Sequence, residues 1–216
     1  MKTKGLHIIT LLIGVCLIAG FSQNVWAATP ASSLSARQII DKTAATIGRA
    51  SGMNVSFTLS SGGRAVKGAL KAHGSKFALT TTSVSSWYNG RSMWTYNAGS
   101  KETTVITPTV SELAETNPLL LVSSGTKEFT AAFSKIKTKG FYNIVLSPKT
   151  KKSGMKSIHV TVNASTFLPS KIVAVPLSGG TITVDINSIK TGISLPASTF
   201  EYPRDACRNA TIVDLR

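Results

Sequence analysis

Few side chains in this 216-residue sequence are spaced for chemistry. His73 and His159 have no Cys or His partner at metal-ligand spacing, and no His-Glu-x-x-His occurs. There is no Gly-x-Ser-x-Gly elbow and no phosphate-cradling glycine loop ahead of a helix. Acidic residues stand singly, apart from Glu112 and Glu115 one helical turn from each other. That pair could serve paired-carboxylate chemistry, but it fits a solvated helix face better. Cys207 could be a nucleophile, yet no histidine lies near it in sequence. The residue types therefore predict no catalysis, no metal and no cofactor.

The charge is the strongest compositional signal. Lys and Arg number 24 against 9 Asp and Glu, a formal +15, although charged residues make up only 15% of the chain. That fraction lies below the roughly 25% of an average globular protein and, with 42% apolar residues, argues against wholesale disorder. The lysines cluster at 135, 137 and 139 and at 149, 151, 152 and 156. They read as polar turns between strands, or as a surface that meets anionic headgroups or an acidic partner, so transient membrane-surface contact is expected. Nucleic acid is disfavoured by the export signal rather than by charge.

That signal is the first segment. Lys2 and Lys4 precede an apolar stretch from Leu6 to Phe21, and Val25-Trp26-Ala27 offers a signal-peptidase site, so cleavage is expected after Ala27. An uncleaved anchor is the alternative reading of the same stretch. Cleavage removes Cys16 and leaves Cys207 alone, so no internal disulfide can form. Residues 28–216 are expected to form one domain, held by its core in the bacterial periplasm, and monomeric.

The elements that must position any site are legible from periodicity. Ser35 to Gln38 reads as a capping box, followed by Ile39, Ile40, Thr43, Ala44 and Ile47 at helical spacing, with Gly48 or Gly52 as the stop. From Met53 the period changes to two, with Met53, Val55, Phe57 and Leu59 alternating with polar residues. About eleven strands follow in hairpin order, with Arg91–Asn97 paired to Val84–Tyr88 across Asn89-Gly90. The segment Thr109–Val122 interrupts them as a helical insert broken at Asn117-Pro118, and the stretches after Leu195 read as extended tails. Trp87, Trp94 and Tyr96 flank the hairpin turn, where cross-strand stabilisation is their default role. A mainly β, unclosed antiparallel β-barrel capped by an N-terminal helix and a helical insert is the expected fold.

The run from Trp87 to Asn97 (Trp-Tyr-Asn-Gly-Arg-Ser-Met-Trp-Thr-Tyr-Asn) resembles the hairpin of LolA-type outer-membrane lipoprotein carriers. Ser111-Glu112-Leu113 with Asn117-Pro118-Leu119, then Phe167-Leu168-Pro169, Leu195-Pro196 with Phe200 and Pro203, and the ending Val213-Asp214-Leu215-Arg216 are similar to that family in the same order. The resemblance implies a periplasmic carrier whose hydrophobic cavity holds the acyl chains of lipoproteins. Its implied partners are acylated lipoproteins, an inner-membrane lipoprotein-releasing ABC transporter and an outer-membrane acceptor of LolB type or another kind. The same fold also implies an alternative, a periplasmic lipid-binding sensor or glycolipid carrier. One departure stands out. Many members carry an arginine after the third-strand aromatic residue that bonds the lid helices, whereas Ala78 follows Phe77 here, leaving apolar contacts or Arg64 to hold the lid.

Alternation and size nominate Phe57, Leu59, Phe77, Leu79, Trp94, Tyr96, Ile106, Ile144 and Leu146 as acyl-chain cavity residues. Leu119, Leu120 and Leu121 are the lid candidates. Each suits ordinary packed core equally well when taken singly.

Overall fold

The computed structural model describes residues 33–109, 112–113, 116–123, 128–150 and 154–216. The expected signal segment 1–27 and Glu115 lie outside them. Helix α1 spans Ala36–Arg49 and opens on the expected capping box. Ser35 Oγ accepts from Gln38 N, and Ser35 N donates to Gln38 Oε1 at 2.9 Å. Its buried stripe is Ala36, Ile39, Ile40, Thr43 and Ile47. Thr43 can be fully buried because its hydroxyl donates to Ile39 O at 3.0 Å. The helix ends at Ala50 in an extended conformation, not on a left-handed glycine, so Gly48 is inside the helix rather than its stop.

Twelve strands form one sheet: β1 (Met53–Ser61), β2 (Arg64–His73), β3 (Lys76–Thr81), β4 (Val84–Tyr88), β5 (Met93–Asn97), β6 (Glu102–Ile106), β7 (Phe129–Phe133), β8 (Phe141–Pro148), β9 (Met155–Asn163), β10 (Pro169–Pro176), β11 (Ile182–Thr191) and β12 (Thr211–Asp214). Among the described residues their order is β12-β6-β5-β4-β3-β2-β1-β11-β10-β9-β8-β7, with β12 and β7 at the two edges, so the barrel is unclosed. Every pairing is antiparallel except β12 with β6, which is parallel. The twelfth strand is the tail that sequence reads only as extended; four residues with no turn partner carry too little periodicity to announce a pairing. Irregularities at Ser56/Phe57 and beside Pro169 add the local twist that curls such a sheet.

The concave face carries the main core. Ile39, Ile40 and Ile47 of α1 pack on Val55, Phe57, Leu70, Ile158, Val160, Val162, Ile172 and Val184. Helix α2 (Pro118–Ser123) packs beside α1 and buries Leu119 and Val122. Two glycines are set by close approach. A Cβ on Gly52 would stand 2.1 Å from Ile193 O, and one on Gly68 would stand 2.4 Å from Phe57 Cζ. Gly68 faces Phe57 across β1 and β2, so its missing side chain is the space the ring occupies.

The convex face has its own cover. The tail runs through a 3-10 turn, Ala197–Phe200, onto β3 and back to β12. Tyr202 meets Trp87 edge-on at 5.7 Å and stacks on Trp94 at 6.5 Å. Its hydroxyl pairs with Thr103 Oγ1 at 2.9 Å, and burial pushes the phenol pKa up. Asn89 Nδ2 donates to Glu201 at 3.2 Å, and Arg216 Nη1 donates to Ser92 Oγ at 3.3 Å. Arg216 also grips the Asp214 carboxylate from its side chain and its backbone N–H.

Two expectations follow. Gly48→Ala, with open space at its Cβ, raises stability by about 0.5–1 kcal/mol. Gly52→Ala lowers it by about 1–3 kcal/mol, because backbone must shift; urea unfolding of both reads the contrast. The Arg216 grip lowers the Asp214 pKa from 3.8 to about 2. Its contribution to tail docking is therefore complete above 3.8 and is lost as pH falls from there through about 2. An NMR titration should place the Asp214 midpoint near that lower value, and Arg216→Ala should return it toward the ordinary one.

Candidate functional site

A cavity of about 480 Å³ opens between the concave face and the insert. Its walls are apolar: Phe57 and Leu59 from β1, Leu79 from β3, Met155 from β9, Ile172 and Ala174 from β10, and Ile182 and Val184 from β11. Its rim is polar or small, with Thr81, Thr116, Gly154 and Ser178. No α1 side chain lines it, because α1 fills the neighbouring part of the concave face. The volume lies within the range typical of small-molecule sites. With apolar walls and no charged side chain among the lining residues, it suits an apolar chain and offers a headgroup only hydroxyls at the rim.

Each wall residue is delivered by strand alternation. Phe57 and Leu59 are two apart on β1 and pair with Gly68 and Val66 of β2, while β11 presents Val184 beside Leu59. Ile172 and Ala174 alternate on β10 in the same way. Ala174 is a small residue among the larger wall side chains and leaves part of this space open.

Of the residues nominated from sequence, Phe57, Leu59 and Leu79 line this cavity. Phe77, Ile144 and Leu146 are buried in the main core, where Phe77 meets Tyr88 at 5.8 Å, and Ile106 is partly buried against it. Trp94 and Tyr96 are placed elsewhere. Inward-facing positions on β5 belong to Met93 and Thr95, so Trp94 and Tyr96 point to the convex side under the tail. Leu119 is buried, Leu120 packs partly buried on the core, and the side chain of Leu121 lies outside the described residues.

Met155, Ile172, Ala174, Ile182 and Val184 complete the walls without having been nominated. The alternation of β10 and β11 carried their signal, but choosing by size passes over a small wall residue such as Ala174. Ala78 lies on the convex side, opposite Trp87 and on the far face from Phe77 and Leu79. A side chain at that position could not reach the insert, and Arg64 is exposed at the β1–β2 hairpin. The insert is held by apolar burial instead, and at its start Glu112 bonds back to Thr109. That carboxylate accepts from Thr109 N at 2.7 Å and Thr109 Oγ1 at 2.8 Å, which hold its pKa below the usual value.

The titratable candidates are dispersed. His159 borders a convex-face groove with Val173 and Val175, while Cys207 lines a separate one with Tyr96 and Lys101. Among the described residues no three His, Cys, Asp or Glu side chains gather as metal ligands.

Comparison with known proteins agrees with this architecture. Residues 27–175 match the family model described as outer membrane lipoprotein carrier protein LolA. No curated protein matches the chain. Among solved structures, an uncharacterized conserved protein from Thermus thermophilus is similar at 9% identity, with TM-score 0.57 over 83% of this chain and 98% of that one. A DUF1329 family protein from Desulfovibrio piger shares 12% identity, with TM-score 0.47 over 77% and 96%. A LolA superfamily protein from Nitrosomonas europaea shares 12%, with TM-score 0.43 over 79% and 99%. The unclosed sheet, its helical cover and the family match together place this chain in the LolA family of outer membrane lipoprotein carrier proteins.

Proposed function

We propose that this protein is a non-catalytic periplasmic carrier that holds the acyl chains of lipoproteins in its cavity and delivers them from the inner to the outer membrane. The observation that carries the reading is the apolar cavity of about 480 Å³ beneath the insert. Acyl chains lose about 0.8 kcal/mol per CH₂ on entering water, so an acylated protein cannot cross an aqueous compartment unaided. A hollow concave face removes that cost without any bond being made or broken. In this reading the chain takes cargo from an inner-membrane ABC transporter and yields it to an outer-membrane acceptor. The polar rim at Thr81, Thr116 and Ser178 is the edge at which the protein part of the cargo remains outside.

Wall and cover are separately testable. Ala174→Trp fills the cavity from β10 and is expected to weaken binding of a synthetic triacylated lipopeptide at least about tenfold, roughly 1.4 kcal/mol. Leu120→Asp places a charge where the insert meets the core and is expected to reduce the same binding. Intrinsic fluorescence titration measures both, with circular dichroism to confirm the fold. Unchanged binding in the folded Ala174→Trp variant would remove the cavity from the site.

A further inference from the structure

The β7–β8 connection, residues 134–140, lies at the opposite end of the sheet from the cavity rim. It neighbours the β9–β10 turn, where Ala164 N donates to Gly140 O at 3.0 Å, whereas the rim lies at the β8–β9 and β10–β11 turns. Among the described residues five large apolar side chains are exposed, and two of them, Phe133 and Ile136, fall within four positions here. Ile136 is the most exposed of the five, at 72%. Lys135, Lys137 and Lys139 alternate with them and are exposed as well. Isolated apolar side chains on a surface are ordinary; Phe133 pairs with inward-facing Ile144, whereas Ile136 borders the convex-face groove with His159 and Val173 and is flanked by three exposed cations.

The loop is held against the convex face, where Ser134 and Ile136 border a groove with Asn143 and His159. Ser134 N donates to Asn143 O at 2.8 Å and Ile136 N to Ser134 Oγ at 3.2 Å. Asn143 Nδ2 donates to Ile136 O at 3.3 Å and to Thr138 Oγ1 at 3.0 Å. These bonds order the loop in advance, so binding through it costs little further entropy. The surrounding charge is one-sided. From Phe129 to Pro148 the sequence contains three lysines, all in this loop, and no Asp or Glu. Among the described residues the ion pair Lys171–Asp185 is on β10 and β11, and none joins Lys135, Lys137 or Lys139.

We propose that this loop docks the protein on an anionic bilayer. Ile136 enters the boundary between headgroups and acyl chains, and Lys135, Lys137 and Lys139 pair with the headgroup phosphates. The contact leaves the cavity rim free to meet a protein donor or acceptor. It rests on the loop alone and stands or falls apart from the cavity reading.

The test is vesicle co-sedimentation of the chain from residue 28 onward, which retains the folded unit Leu34–Arg216 and removes the apolar leader. Binding is expected to vesicles of phosphatidylethanolamine with phosphatidylglycerol, at least about tenfold tighter than to phosphatidylcholine alone, and to weaken as salt rises. The triple variant K135E/K137E/K139E and the single variant Ile136→Asp are each expected to weaken it about tenfold or more, with unchanged thermal melting. Ala174→Trp is expected to sediment like the parent. Equal binding to both vesicle types, no binding, or binding indifferent to the loop variants would overturn the proposal. So would loss of binding in Ala174→Trp alone, which would mean that the cavity rather than the loop engages the lipid.

Discussion

An open, curved sheet has an apolar inner face that must be kept from water, and this constraint organises the molecule. Each Å² of apolar surface left wet costs about 25 cal/mol. Helix α1 covers one part with Ile39, Ile40 and Ile47, and α2 adds Leu119 and Val122. Neither lines the cavity beside Phe57, Leu79, Ile172 and Val184, where Ala174 supplies little bulk. The remaining space is the cavity. A ligand with long apolar chains would complete the burial that the fold leaves unfinished.

The convex face obeys the same constraint by other means. An unclosed ladder exposes its outer aromatics, and the C-terminal tail covers them. It lays Phe200 and Tyr202 over β3 to β6 and then pairs as β12 along the edge of β6. The aromatic hairpin is thereby reinforcement for the wall behind the cavity. The other edge, β7, leads into the lysine-bearing loop, and interleaved charge is a common guard against edge-to-edge association. Cover on one face, a tail on the other and a cationic tip at one end divide the surface into parts with different chemistry.

Much of this was legible in the sequence because burial on a strand has a period of two. Met53, Val55 and Phe57 alternate as read, and the Ser35–Gln38 capping box is present in both directions. Alternation also says that Trp94 and Tyr96 share a face, but it cannot say which face is concave. That depended on Met93 being buried in the main core and on a tail more than a hundred residues away. The turn at Asn89-Gly90 was legible as a turn, while its length was not. Asn89 Oδ1 accepts from both Arg91 N and Ser92 N, so the loop takes in Arg91 and Ser92 and β5 begins at Met93 rather than Arg91. The hollow itself had a weak signature, since a cavity is set by missing atoms. Ala174 reveals it only when the residues facing it are known.

The central claim is that acyl chains occupy the space between the sheet and the insert. The most direct measurement is methyl NMR of the protein with a synthetic triacylated lipopeptide, reading intermolecular NOEs from the acyl protons. The account predicts contacts to Leu59, Leu79, Ile172 and Val184, with the methyls of Val173 and Val175 on the convex side silent. Contacts confined to the convex side, or a lipopeptide that binds without reaching those four residues, would contradict it.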